Sequence, residues 1–240
     1  MNTPAELRIG CAGWSLAREH WPAFGEEGSH LQRYASRFNA VEINSSFYRP
    51  HRPQTYARWA QSVPDGFSFC VKVPKLITHE QRLDGCEAMV DELLAQCTEL
   101  GEKLGCLLIQ LPPSLQFDPA IAERFFAMVR MRFGGGLAFE PRHQSWDAAE
   151  SLLVEHRIAR VAADPSPISG GDVPAGWPGL RYWRLHGSPR IYHSAYGEEW
   201  LSALAARMAG DPAPAWCIFD NTASGAAVGD ALTLGSLLRP

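Results

Sequence analysis

Ionisable residues stand at the ends of apolar runs along this chain, at a spacing that would gather them into one reactive layer. In Ala40-Val-Glu-Ile-Asn44, Val41 and Ile43 alternate with Glu42 and Asn44, and side chains two apart on a strand share a face. A carboxylate on a covered face is costly unless it is paired or used. The pattern recurs at Lys72 in Phe-Cys-Val-Lys-Val, Gln110 in Leu-Leu-Ile-Gln-Leu, and Glu140 with Arg142 in Ala-Phe-Glu-Pro-Arg. It appears again at Asp164 in Val-Ala-Ala-Asp, Arg184 with His186 in Tyr-Trp-Arg-Leu-His, and Asp220 with Asn221 in Cys-Ile-Phe-Asp-Asn. Such a set suits acid–base chemistry on an anion. Glu42 or Glu140 would serve as base, Asp164 would join the catalytic group, and Lys72, Arg142 and Arg184 would stabilise negative charge. The competing reading is a self-neutralising ion network that only fills space. Buried pairs stabilise poorly compared with apolar packing, which favours a functional origin.

Other chemistries find less in the residues. Glu42, Glu140, Asp164 and Asp220 could form a hard-metal site, but no ligand spacing supports one and the cations would repel a metal ion, so neither metal nor cofactor is expected. Lys72, flanked by Cys70, Val71 and Val73, would be a Schiff-base amine if desolvated, and the neighbouring carboxylates are expected to keep it charged instead. No Gly-x-Ser-x-Gly occurs. His79 and His143 lie just past strand-like runs, where they would be either proton shuttles or satisfied loop residues.

Eight strand-like runs carry these residues, at about 8–14, 41–45, 67–73, 106–111, 137–141, 160–164, 181–187 and 215–220. Helical periods separate most of them: 30–38, a helix opened by Pro53, 87–104, one capped by Asp118 with Pro119 behind it, one capped by Ser145, 198–209 and 223–238. Strands alternating with helices imply parallel pairing, and eight units close a barrel of ~250 residues. The expectation is a single α/β domain over 1–240, a (β/α)8 TIM barrel whose sixth helix is replaced by the irregular Pro/Gly-rich loop Pro165–Gly179. The C-terminal strand ends then form one rim. Asn44, Gln110, Arg184, His186 and Asp220 would bind substrate there, and Glu140, next to Pro141, is expected at the rim itself. Phosphate would sit between the loops after strands seven and eight, on Ser188, Asn221 and Thr222 with the charge of Arg184.

Of the 240 residues, 46% are apolar, ample for a core without disulfides. The six cysteines lie in apolar runs without a Cys-x-x-Cys pair, which predicts free core thiols. No signal region or membrane span is visible, and a cytoplasmic protein with no membrane partner is expected. A formal net charge of −4 argues against a general basic surface for nucleic acid. Arg49, His51, Arg52 and Arg58, interleaved with Tyr48, Tyr56 and Trp59, are the one basic and aromatic cluster, and read as a solvated helix face. Nothing fixes the oligomeric state.

Several segments together resemble a known family. Ile9-Gly-Cys-Ala-Gly-Trp14, Val41-Glu-Ile-Asn-Ser-Ser-Phe-Tyr-Arg49, Phe69-Cys-Val-Lys-Val-Pro74 with Ile77-Thr-His79, Gln110-Leu-Pro-Pro-Ser-Leu115, Glu140-Pro-Arg-His-Gln-Ser-Trp146, Arg184-Leu-His-Gly187 and Phe219-Asp-Asn-Thr-Ala223 resemble, in order, the YecE-like proteins, known as domain of unknown function 72. The likeness covers essentially the whole chain. It implies an eight-stranded barrel of the kind found in sugar isomerases and endonuclease-IV-like enzymes, a cytoplasmic location and no settled activity. Cys11-Ala12 stands where the family commonly has Thr-Ser, and the three-histidine metal pattern of endonuclease-IV-like sites has no match. The leading expectation is a metal-independent enzyme acting on a small anionic, phosphorylated substrate. The alternatives are a phosphodiesterase acting on nucleic acid and a non-catalytic metabolite-binding protein.

Overall fold

The computed structural model describes residues 6–239, in which strands and helices alternate except between residues 159 and 185. The strands are β1 (Leu7–Cys11), β2 (Ala40–Ile43), β3 (Ser68–Lys72), β4 (Leu104–Gln110), β5 (Gly136–Glu140), β6 (Ala159–Arg160), β7 (Ala162–Asp164), β8 (Ala175–Gly176), β9 (Arg181–Leu185) and β10 (Ala215–Phe219). The helices are α1 (His30–Ala35), α2 (Pro53–Gln61), α3 (Glu87–Cys97), α4 (Pro119–Arg132), α5 (Glu150–Glu155), α6 (Glu198–Ala209) and α7 (Ala226–Leu237). Every residue of β2, β3 and β10 is buried, as expected of parallel strands covered on both faces. β2 through β6 pair in parallel in sequence order, and β1, β10, β9 and β7 form a second parallel row.

The two rows meet twice. β6 and β7 are one extended run interrupted at Val161, so the strand expected at 160–164 serves β5 with its first half and β9 with its second. At the other meeting, β1 reaches β2 through a parallel bridge from Ala12 to Glu42, where the Gly13 N–H donates to the Glu42 carbonyl at 2.9 Å. Below that bridge, side chains satisfy the backbone of β1. Asn39 accepts from the Ile9 N–H at 2.9 Å and donates to the Leu7 carbonyl at 2.7 Å. The Tyr34 hydroxyl accepts from the Cys11 N–H at 2.7 Å and donates to the Ala40 carbonyl at 2.9 Å. Buried backbone groups need such partners. A Cβ at Gly10 would lie 2.0 Å from the Ala40 carbonyl oxygen, so the close approach of β1 to β2 requires glycine there.

Several local expectations change. Asp118 does cap α4, accepting from the Ala120 and Ile121 N–H groups. Ser145 caps nothing at α5; its hydroxyl accepts from the Phe117 N–H, and α5 starts at Glu150. The helix expected over 87–104 is α-helical to Cys97 and continues as 3-10 turns over Thr98–Lys103, kinked at Gly101 by a positive φ of 59°, before Leu104 begins β4. Residues 165–180 contain no helix and only β8, which runs antiparallel to β6.

Strand parity separates two cores. Val41, Val71, Phe139 and Trp183 pack outward with the helices, Phe139 against Phe126 of α4 at 5.2 Å. On the inner face lie Ala40, Cys70, Cys106, Leu108, Ala138, Ala159, Val161, Tyr182, Trp216 and Ile218. All six cysteines are buried and free. Burial raises the thiols of Cys11, Cys70 and Cys217, so these remain neutral packing groups.

Candidate active site

One inward step beyond that apolar layer come Glu42, Lys72, Gln110, Glu140, Arg184 and Asp220. Arg184 is fully buried at the centre. Its Nε donates to Glu42 Oε2 at 3.0 Å and its Nη2 to Glu42 Oε1 at 2.9 Å, while Nη1 donates to Glu140 Oε2 at 3.3 Å. Nη2 also lies 2.9 Å from Asp220 Oδ2. One guanidinium thus holds carboxylates from β2, β5 and the end of β10, a task suited to its planar fork of donors. Burial works against its charge, but Asp220, Glu42 and Glu140 outweigh that and hold it well above its ordinary pKa.

His186 completes the cluster with Nε2 3.0 Å from Glu140 Oε1 and Nδ1 3.0 Å from Asp220 Oδ2. Burial pulls its pKa down, yet Glu140 and the two carboxylate hydrogen bonds raise it overall, which favours the protonated ring. Arg142 Nη1 donates to Glu140 Oε1 at 2.7 Å, and Gln110 Nε2 reaches the same oxygen at 3.4 Å. For Glu140 burial pushes up, but Arg184, His186 and Arg142 bring the carboxyl well below the usual range. Asp220 is likewise depressed, burial being overcome by Arg184 and His186. Carboxylates held this strongly as anions are poor bases. Glu140, expected at the rim, is fully buried.

Lys72 differs from the rest. It is 5% exposed, and among the described residues its amine forms no ion pair or hydrogen bond; it lies 4.3 Å from the centre of the Phe47 ring. Burial first, then the positive charge of Arg184, bring its pKa down to about 8, against the opposing pull of Glu42, Asp220 and Glu140. The carboxylates expected to keep it charged are already engaged by Arg184. His79 packs edge-on to the other contact of this group, Phe47, at 5.0 Å, while its Nδ1 pairs with the Thr78 hydroxyl.

Not every expected residue joins this layer. Asp164 is in register with Leu185, whereas Ala163 is in register with Arg184, so Asp164 faces outward. It lines a cavity of about 160 Å³ with Trp183, Trp200 and Arg207. The Asn221 amide donates to the Ser194 carbonyl and to Asp230 Oδ2, which consumes both its hydrogens. Ser188 and Thr222 are exposed on their loops and make no side-chain hydrogen bond to the cluster. Arg184, saturated by three carboxylates, is not free for an external anion. The loops after β9 and β10 do touch, through the Ala223 N–H and Tyr192 carbonyl at 3.0 Å. The open space beside the start of α7, about 490 Å³, lies instead between the loops after β1 and β10, lined by Gly13, Ser15, Ser224 and Gly225. Asn44 lies near the mouth, with its Oδ1 buried and unpartnered. His143 accepts from the Ser145 N–H and is a satisfied loop histidine.

Three residues were not foreseen as part of the site. Tyr182 donates to Glu42 Oε2 at 3.3 Å. The Tyr196 hydroxyl accepts from the Gly187 N–H and donates to the Asp164 carbonyl, and Asp230 accepts from the Tyr196 N–H. Asp230 was detectable as a lone carboxylate in the apolar stretch Ala226–Ala231, although its partners were not. Gly187 turns the chain after His186 with φ of 91°, where a Cβ would meet the Ser194 carbonyl oxygen at 2.7 Å. Among the described residues, no three His, Cys, Asp or Glu side chains are grouped to hold a metal ion, and no helix is long and apolar enough to cross a membrane.

Comparison with known proteins places this arrangement. A family profile described as "Protein of unknown function DUF72" matches residues 8–240. The curated protein UPF0759 YecE of Escherichia coli is 35% identical over 106 residues, covering 44% of this chain and 38% of that protein. UPF0759 YunF of Bacillus subtilis is 32% identical over 113 residues, 45% and 40% of the two chains. The chain thus matches about two fifths of the length of these relatives. Among solved structures, a DUF72 family protein from Thermotoga maritima aligns with a TM-score of 0.78 at 24% identity, over 97% of this chain and 99% of the other. One from Enterococcus faecalis gives 0.79 at 22% identity over 99% of each chain. An AP endonuclease of family 2 from Brucella melitensis gives 0.53 at 14% identity, over 94% and 97%, a likeness of fold alone. With the profile spanning nearly the whole sequence, the chain belongs to the DUF72 family of YecE-like proteins.

Proposed function

We propose that this protein is an enzyme acting on a small anionic substrate at the C-terminal ends of its parallel strands, with Lys72 as the proton-transfer group and Arg142 as the anion ligand. In this reading the two rows of strands are one eight-stranded barrel, closed at the bridge from Ala12 to Glu42 and at the shared run 159–164, with 165–180 standing in for a sixth helix. The observation that carries the proposal is the uncommitted amine of Lys72 in a layer where every other charge is paired. An amine titrating near about 8 exchanges protons readily at neutral pH, as a general acid or base must. The role given from sequence to Glu42 or Glu140 passes to Lys72, because Arg184 holds both carboxylates. Three carboxylates, Glu42, Glu140 and Asp220, face two permanent cations, Arg142 and Arg184, with His186 and Lys72 beside them. Arg142, 14% exposed, is the cation with a face toward solvent.

For the phosphodiesterase alternative, Tyr56 is fully buried and Trp59 packs against Trp14 and Tyr56, which leaves Tyr48, 68% exposed, as the open aromatic ring of that basic cluster. Thermal unfolding with and without inorganic phosphate tests the proposal. Phosphate is expected to raise the midpoint of the native protein and to leave Arg142→Ala and Lys72→Met unchanged. An equal rise in all three proteins, or none in the native one, contradicts it.

A further inference from the structure

The chain holds three lysines, Lys72, Lys75 and Lys103, beside nineteen arginines. Lys75 is exposed and paired with Glu80 at 3.2 Å. Lys103 donates to the Ala60 and Val63 carbonyls at 2.7 Å each. Lys72 alone among the described residues leaves its amine without a polar partner, and it does so in a buried site beside a second cation, Arg184. We infer that Lys72 is an imine-forming nucleophile for small carbonyl compounds that carry an anionic group, the amine attacking the carbonyl carbon while Arg142 holds the anion. This deepens, and rests on, the acid–base reading above.

Two features of the site support it. A lysine becomes nucleophilic when desolvated or placed next to another cation, and here both conditions hold. The second is that arginine, not lysine, carries the paired positive charges of this layer. Arg184 and Arg142 do the ion pairing, and arginine, which stays protonated, could not be the nucleophile. In the step itself the neutral amine forms a C–N bond as the carbonyl π pair moves to oxygen. The two amine hydrogens leave with that oxygen as water, and one proton from solvent gives the iminium. No oxidant or reductant takes part. The positively charged iminium then serves as an electron sink for a bond at the adjacent carbon. Nearby carboxylates keep that charge from being prohibitive, since Glu42, Asp220 and Glu140 all attract positive charge at this position.

Reductive trapping tests the inference. The native protein is incubated at neutral pH with pyruvate or with dihydroxyacetone phosphate in the presence of cyanoborohydride, and digested peptides are mapped by mass spectrometry, which separates Lys72 from Lys75, Lys103 and the α-amine. An amine lowered to about 8 is on the order of a hundredfold more neutral at pH 7 than an ordinary lysine. Labelling with at least one probe should therefore fall on Lys72 in preference to Lys75 and Lys103, and the preference should vanish in urea. Labelling of Lys75 equal to that of Lys72 in the folded protein overturns the inference, as does absence of a Lys72 adduct with both probes. If phosphate still stabilises the protein through Lys72 and Arg142 while no adduct forms, imine formation falls and the acid–base reading stands; if neither occurs, both fall.

Discussion

Arg184 and Lys72 bear the same charge in the same layer, yet their surroundings give them opposite consequences. Three carboxylates meet Arg184 within hydrogen-bonding distance, while Lys72 meets a phenyl ring. Lys72 therefore costs stability whenever it is protonated. Its folded-state pKa, about 8, lies below the ordinary 10.5, so below pH 8 the folded state carries a disfavoured charge that the unfolded chain carries freely. Between about 8 and 10.5 the unfolded chain holds the extra proton, and stability rises with pH as this penalty disappears. Lys72→Met is expected to stabilise the protein by about 3 kcal/mol at pH 7, with the gain shrinking toward zero near pH 10.5. Urea unfolding at pH 7 and pH 10 measures it. A destabilised variant at pH 7 would mean that Lys72 is a structural group.

At the scale of elements, Arg184 is a staple that ties β9 to β2, β5 and the end of β10. Arg184→Met would leave those carboxylates buried without their common partner, and a loss above about 3 kcal/mol is expected. Arg142→Ala, which removes one partly exposed contact to Glu140, should cost about 1 kcal/mol. Denaturant midpoints of the two variants check the contrast, and similar losses would contradict it. Much of this layer was legible in the sequence. Glu42, Lys72, Glu140, Arg184 and Asp220 each follow an apolar residue two places earlier on the same face, and alternation against Val, Ile, Phe, Trp or Leu on the other face reveals their phase. Asp164 was misplaced because Ala162 and Ala163 offer no contrast between inside and outside. The break at Val161, which passes the strand from β5 to β9, adds no residue that marks the face. Asn221 could not be assigned from its neighbours, since Ser194 and Asp230 reach it from another loop and from within α7.

Across the whole molecule, an apolar inner layer supports an ionic layer above it, and the two parallel rows of strands bring the charged side chains within reach of one another. Ala40, Ala138, Ala159, Cys70 and Cys106 keep the inner face narrow, while Tyr34, Asn39 and Gly10 join β1 to β2 where few backbone bonds do so. That architecture fixes the paired charges and leaves the buried Lys72 amine without a polar partner among the described residues. With three lysines in the chain, the titration of lysine side chains by heteronuclear NMR resolves them individually, and Lys72→Met assigns the signal. The account predicts a Lys72 midpoint near about 8 that moves when inorganic phosphate is added. A Lys72 midpoint at the ordinary lysine value, unaffected by phosphate, would contradict it.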